Sequence, residues 1–583
     1  MAKSNSKRLP REFLVVLAGL ALFYALPFLL NLNLWGGRDW DLFTTIAAIP
    51  VGSIVDYGQF PFWNPYMGGG NILFHHPEVA VLSPFVLLYW ICGAVVGLKL
   101  QVLICYFLGL TGSFYLGRTL GISRWGSLLL SVAYFGSVHF ALHFAEGHMP
   151  FTHFCFLPWF LAGLKLAEES VGYLALSAGA LALMVLGNGG AIPLLYTLTF
   201  SGLWVLLESA RRVNLRPLLN LALATGLGLL VAAVKFVPMV VYLTQNQWAG
   251  APEETIPLTA LSSVFFGLDH SLMASNFEGQ FWGWHEYGAY VSPLLILLVM
   301  IILVRQFKSR WPWMVLAVFF LLLGMGNFSS WSPWALLSQF PGFESARCTG
   351  RSFQFVILGI AVLAAFGYDS ARAWIQQHLL GQAGRYRLAI NVLHGVLAVI
   401  CATNLILAWP IMSSAHRQQP VEIEPAEKFV QVVDKNPLIY AYYLAGKGSL
   451  ITPWLSAYHP SRGLVDPTET VHEYYVTSGT AVLDSMHFTP NRLDYFFRAQ
   501  STGEMVVSVG FDPGWSLSGS AMLRQQQSLL AFPFSQGRKH VTLSYRTPYF
   551  DLGLILSLVG LGLLLALLYF RQVIGKFALG RDQ

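Results

Sequence analysis

The sequence predicts an α-helical polytopic membrane protein with a small β-rich domain near its C-terminus, on three observations. Hydrophobic residues make up 55% of the chain and charged ones 11%, a balance no soluble fold can hide. Apolar runs of spanning length recur from Phe13 to Phe570; they are Leu-rich and do not alternate, the pattern of helices that satisfy their own backbone groups in lipid. Lys and Arg gather in short clusters between the runs, which sets an orientation and leaves the net charge of +6 without bearing on nucleic acid.

The N-terminus, Met1 to Arg11, is basic and leads into an apolar run with no small-residue cleavage site before Asn31, so it reads as an uncleaved first span starting in the cytoplasm. Basic clusters follow at Arg118 with Arg124, Arg211 to Arg216, Arg305 to Arg310, Arg372 to Arg387 and Arg571 to Lys576. Placing each in the cytoplasm gives about 12 transmembrane helices and cytoplasmic termini. Val79 to Val96 breaks the parity and is expected along the outer interface or re-entering. The loops 32–97, 144–153, 244–286 and 328–350 are poor in Lys and Arg and should face outward. Together the transmembrane module covers 1–410. Residues 411–546 turn polar, with alternating runs such as Met505 to Val509 and Val541 to Tyr545, and are expected as a β-rich extracytoplasmic domain. Residues 547–583 supply the last span and a tail. Cys92, Cys105, Cys155, Cys348 and Cys401 lack the spacing of a disulfide framework, zinc ribbon or haem site.

The outward loops hold the chemistry. Asp39 and Asp41 stand two apart beyond the first span, where an apolar surface raises a carboxyl pKa and suits it to act as base or metal ligand; interfacial capping of a short following helix by Asp41 is the plainer reading. The same loop runs Gln59-Phe60-Pro61-Phe62-Trp63-Asn64-Pro65-Tyr66 and Gly68-Gly69-Gly70, a shaped non-helical surface. His75, His76 and Glu78 follow, fit for a metal, for sugar hydroxyls, or for staying wet at a headgroup interface. Glu146, His148 and His153 occupy the second outer loop. Glu278, Trp282 and Glu286 lie in an aromatic-dense run, where rings serve as a membrane belt or stack on sugar faces. Arg347 and Arg351, four apart at a helix entrance, suit a phosphate, or else pair with Glu344 or snorkel to headgroups. Lys235 is a costly charge in an apolar run.

Several of these pieces resemble one family over nearly the whole chain. The acidic first loop with Gly58 to Pro65, the Gly147-His148 loop, the Pro-Gly-Phe run ending in Arg347 and Arg351, and Gly510 to Trp515 with His540 to Tyr545 are similar to YfhO-like bacterial membrane proteins of the C-type glycosyltransferase (GT-C) superfamily. The resemblance implies a GT-C-like arrangement in a bacterial inner (plasma) membrane. It implies transfer of a sugar from a polyprenyl-phosphate donor to an envelope glycan, lipid or protein acceptor on the outer face. Asp39 or Asp41 maps onto the family's catalytic base or metal ligand, and a divalent metal (Mg²⁺ or Mn²⁺) would find candidate ligands in Asp39, Asp41, His75 and His148. His75-His76 departs from the family pattern. Two other classes stay open: a non-catalytic binder of lipid-linked sugar, and a transporter or flippase, for which Lys235 is the main midplane charge.

Overall fold

A computed structural model describes residues 9–67, 70–245, 254–340, 342–343, 346–421, 429–430, 439–446, 448–449, 474–518, 522–526 and 529–580. Glu344, Gly68, Gly69 and 450–473 of the expected β-rich domain lie outside them. The chain winds first through a helical bundle: α1 (Arg11–Leu29), α2 (Asp39–Val55), α3 (Val86–Thr119), α4 (Arg124–Tyr134), α5 (Val138–Glu146), α6 (Leu157–Ala167), α7 (Leu174–Leu186), α8 (Ile192–Arg212), α9 (Arg216–Val231), α10 (Ala233–Gln245), α11 (Pro293–Gly324), α12 (Phe353–Leu379) and α13 (Ala383–Ser413). A short α14 (Ile439–Leu444), a β-sandwich and α15 (Phe550–Gly580) complete it.

Among the described residues seven helices are long and apolar enough to cross a membrane, or eight if the α9–α10 pair, bent by 94°, counts as one span. The expected count of about 12 is not confirmed. Other apolar runs form the shorter helices α6 and α7 and the 32-residue α11, which breaks at Gln306 (φ −139°). In α3, Gly93 (φ 75°) turns the chain between a seven-residue arm and the span proper, which glycine does at no steric cost. At 1.5 Å per residue that arm extends about 10 Å, too short to cross, and it folds back so tightly that a Cβ on Gly97 would lie 2.9 Å from the Tyr89 nitrogen.

Among the described residues, the start of α1, the turn before α4 and the middle of α12 come together. Arg124 reaches Glu12 at 3.3 Å, and the Ser123 backbone N–H donates to Asp369 at 2.6 Å. Residues from the outward loops of the sequence reading meet around one cavity. One polar tie inside the bundle is Lys99 on α3, whose ammonium donates to the carbonyls of Asn31, Leu32 and Leu34 at 2.5, 2.9 and 2.7 Å and so pins the turn that follows α1.

The β region consists of β1 (Tyr474–Ser478), β2 (Ala481–Thr489), β3 (Arg492–Ala499), β4 (Gly503–Gly510), β5 (Trp515–Leu517), β6 (Arg524–Gln526), β7 (Leu529–Phe534) and β8 (Gly537–Tyr545). They form two antiparallel four-stranded sheets, ordered β6-β7-β4-β1 and β5-β8-β3-β2. Met505 to Val509 and Val541 to Tyr545 fall in β4 and β8 as expected. Strict alternation along β3 buries Leu493, Tyr495, Phe497 and Ala499 against Met505, Val507, Phe532 and Phe534 of the other sheet. The sandwich is seated on the aromatic Pro-rich loop. Trp63 packs on Trp515 and Tyr545 with ring centroids 5.3 and 4.7 Å apart, and Asn491 accepts from the Trp63 N–H at 3.1 Å and donates to the Phe60 carbonyl at 2.6 Å.

Candidate active site

The start of α2, the C-terminus of α5, the turn before α11 and the turn opening α12 surround a cavity of about 1340 Å³. Asp39 begins α2 directly after Arg38, whose backbone is in a positive-φ conformation (φ 58°). Arg347, also on the cavity wall, has φ 51°. Such backbone costs about 1–3 kcal/mol per residue and persists where surrounding contacts over-determine it. Here it aims two guanidinium side chains at one space.

Gly147 caps α5 in the left-handed region (φ 101°). A Cβ there would lie 2.3 Å from the Trp40 nitrogen, so only glycine lets the second outer loop press against the start of α2. His148 is thereby brought to Asp39, Nε2 to Oδ2 at 3.1 Å. Its other nitrogen, Nδ1, lies 2.8 Å from Nδ1 of His143, whose ring stacks on Phe151 at 3.5 Å. Burial alone would raise the Asp39 carboxyl, but the hydrogen bond and charge of His148 outweigh it and leave the group lowered and ionised. Burial likewise opposes the His148 cation, yet Asp39 holds its pKa above the usual imidazole value.

Two further ion pairs line the cavity. Glu146 takes Arg38 at 2.5 Å. Glu286 accepts from Arg351 on both oxygens, Nε to Oε2 at 2.8 Å and Nη2 to Oε1. Burial would raise Glu286, but the Arg351 guanidinium drives it well below the carboxylate range. His285 stands between the pairs, 3.6 Å from Glu146 and 3.8 Å from Glu286, and burial beside His148 pushes it down to about 3. Glu78, raised by burial and restrained by Arg351, faces the same cluster.

Of the residues singled out from sequence, Asp39, Asp41, His76, Glu78, Glu146, His148, Trp282, Glu286, Arg347 and Arg351 line this cavity. Trp63, Asn64, His75 and Glu278 do not. Trp63 carries the sandwich, Asn64 accepts from the Tyr66 N–H at 2.9 Å, and Glu278 is exposed on its loop. His75 is buried beside Tyr242 and Thr547. Asp41 and Asp39 also part company: both Asp41 oxygens accept backbone N–H groups at the start of α14, from Ile439 at 2.8 Å and Tyr440 at 3.1 Å. Asp41 therefore does not cap a helix that follows it, as the alternative had it; it binds the start of one almost 400 residues downstream. Arg38, His143 and His285 join the site without having been singled out. The signal available for His143 was its position in an apolar helical run, four residues after His139, where an imidazole is costly unless it serves a site.

No family model matches the chain. Over 108 residues, 18% of this chain and 12% of that protein, it is 25% identical to the uncharacterized protein YfhO of Bacillus subtilis (strain 168). The chain is YfhO-like there. Among solved structures, the arabinofuranosyltransferase AftD from Mycobacteria overlays 70% of this chain and 27% of its own at 19% identity and a TM-score of 0.47. ArnT from Cupriavidus metallidurans, bound to undecaprenyl phosphate, overlays 70% of this chain and 77% of its own at 15% identity and a TM-score of 0.37. The chain thus spans a small part of YfhO and of AftD, and at this level of overlay residue roles rest on the site itself.

Mg²⁺ or Mn²⁺ fits the donors poorly. The four sequence candidates are not gathered, since Asp41 is occupied by α14 and His75 lies outside the cavity. His143, His148 and Glu286 each bring one donor atom within 4.8 Å of the others, but two imidazoles and a carboxylate are not the oxygen shell of Mg²⁺. Arg351 already occupies both Glu286 oxygens.

Proposed function

We propose that the protein is an integral membrane glycosyltransferase that moves a sugar from a polyprenyl-phosphate donor to an acceptor hydroxyl at the cavity end of the bundle, read as the extracytoplasmic face of a bacterial inner membrane. In this reading both termini are cytoplasmic and the sandwich is extracytoplasmic. The observation that carries it is an ionised, His148-oriented Asp39 on the wall of a cavity that also presents Arg38, Arg347 and Arg351.

Asp39 takes the proton of the acceptor hydroxyl as its oxygen attacks the anomeric carbon. His148, bonded on both nitrogens, orients Asp39 and leaves its second oxygen for the acceptor. The bond from the anomeric carbon to the phosphate oxygen breaks, and the leaving phosphate gathers charge facing the arginines. In a space largely closed by apolar helices such donors act strongly. His76, Glu78, Glu146 and Trp282 offer hydrogen bonds and a stacking face to the sugar. The acceptor is an envelope glycan, lipid or protein, and no step passes through a metal.

The test is to purify the protein in lipid and supply a panel of radiolabelled polyprenyl-phosphate sugars with candidate envelope acceptors. Transfer of label from at least one donor is expected. Saturable donor binding without transfer from any would replace the enzyme with a non-catalytic binder of lipid-linked sugar.

A further inference from the structure

Lys235 is a buried charge that the proposed reaction leaves unused. It sits just past the 94° break between α9 and α10, and only 1% of it is exposed. An ammonium in that position must be satisfied or neutralised. Its Nζ donates to the carbonyls of Val79 and Gly187, each at 2.6 Å, and of Pro77 at 3.4 Å.

Two of those three carbonyls flank Glu78. The same stretch is tied again from α7's end: the Gly190 N–H donates to Pro77 at 3.1 Å, and Asn188 Nδ2 donates to the Glu78 carbonyl at 2.6 Å. Every carbonyl from Pro77 to Val79 is therefore held, and the side chain between them is directed into the cavity beside Asp39, His148, Arg347 and Arg351. The break in the helix delivers the ammonium. One residue before Lys235, the Val234 N–H donates to Ser557 of α15 at 2.8 Å, which fixes the broken span itself.

We infer that Lys235 is a positioning residue for Glu78: its ammonium fixes the backbone on both sides of Glu78 and places a cation behind the carboxylate that faces the sugar. This rests on the glycosyltransferase reading for its consequence in turnover, and on geometry alone for its consequence in Glu78. It also accounts for Lys235 without a transported ion, since its donors end on backbone carbonyls. The charges that face Glu78 are Arg351, Arg347, Asp39, His148 and Lys235, with His76 two residues away. Burial raises its carboxyl, and the cations oppose that.

The experiment uses the full-length protein in lipid at pH 7 and a hydrophobic carbodiimide, which modifies protonated buried carboxyls, with the label on Glu78 read by peptide mass spectrometry. Lys235→Gln keeps a donor for the carbonyls and removes the charge; Lys235→Met removes both. Losing one nearby buried charge moves a carboxyl by about one pKa unit, a roughly tenfold change in its protonated-to-ionised ratio. Glu78 labelling is therefore expected to rise several-fold in Lys235→Gln and at least as much in Lys235→Met, while Lys235→Arg stays near wild type. Where transfer is measurable, Lys235→Gln and Glu78→Gln should lower kcat, and the double variant should be no worse than Glu78→Gln. Unchanged Glu78 labelling in Lys235→Gln overturns the inference. A wild type that transfers no sugar defeats the enzyme reading and leaves the labelling result to decide Lys235.

Discussion

Asp41→Asn separates the two carboxylates that the sequence could not rank. Burial pushes the Asp41 carboxyl from 3.8 up to about 6, against the pull of the Tyr440 and Ile439 N–H groups. In the unfolded chain the same group titrates near its ordinary value. The folded state thus keeps its proton longer, so the stability tied to the protonated form is present below about pH 4 and is lost as pH rises through about 6. At 1.36 kcal/mol per unit the shift amounts to about 3 kcal/mol. An amide carries no charge to bury but offers one acceptor oxygen where the carboxylate offered two, at a cost of about 1 kcal/mol for the lost hydrogen bond. Asp41→Asn is expected to stabilise the protein by about 2 kcal/mol at pH 7.5 and by almost nothing at pH 4. Thermal unfolding in lipid nanodiscs at both pH values, followed by tryptophan emission, reads this directly. Transfer activity should survive. A variant that melts lower than wild type at pH 7.5, or that loses transfer there, refutes the reasoning.

Three further outcomes follow from the site. Glu286→Gln leaves Arg351 buried without its counter-charge and should cost about 3–5 kcal/mol in unfolding experiments, with Arg351→Met added to it costing much less than its single variant. Gly147→Ala puts a Cβ into the Trp40 backbone at a positive φ; it should destabilise by about 1–3 kcal/mol and depress transfer by pulling His148 from Asp39. A chelator should leave transfer unchanged; loss restored by Mg²⁺ or Mn²⁺ would place a cation in the step.

The membrane-spanning bundle was legible because composition and run length depend on local sequence alone, and the sandwich because β3, β4 and β8 alternate. The outer-loop residues Asp39, Glu146 and Glu286, far apart in sequence, do meet on one cavity, and Arg124 with Ser123 ties α4 to Glu12 and Asp369. The span count was less legible, because α6, α7 and the broken α11 are as apolar as crossings while their helix lengths and breaks follow from packing. Within the site, the polar residues of the outer loops were visible as residue types, not as partners. Trp63 and Asn64 looked like a sugar-facing surface, whereas the loop is a seat for a sandwich more than 400 residues away. Asp41 looked equivalent to Asp39 until α14 took both its oxygens. His143 was masked by its apolar neighbours Phe140, Leu142 and Phe144, since a helix face is fixed by packing that no local window contains.

The central claim is that Asp39 is the base. Donor binding and single-turnover transfer, measured together on wild type and Asp39→Asn in lipid at pH 7.5, test it most directly. The account predicts unchanged donor affinity with transfer reduced about 10²–10⁴-fold, the range a general base contributes. Transfer by Asp39→Asn within a factor of a few of wild type would contradict it and return the carboxylate to a structural role.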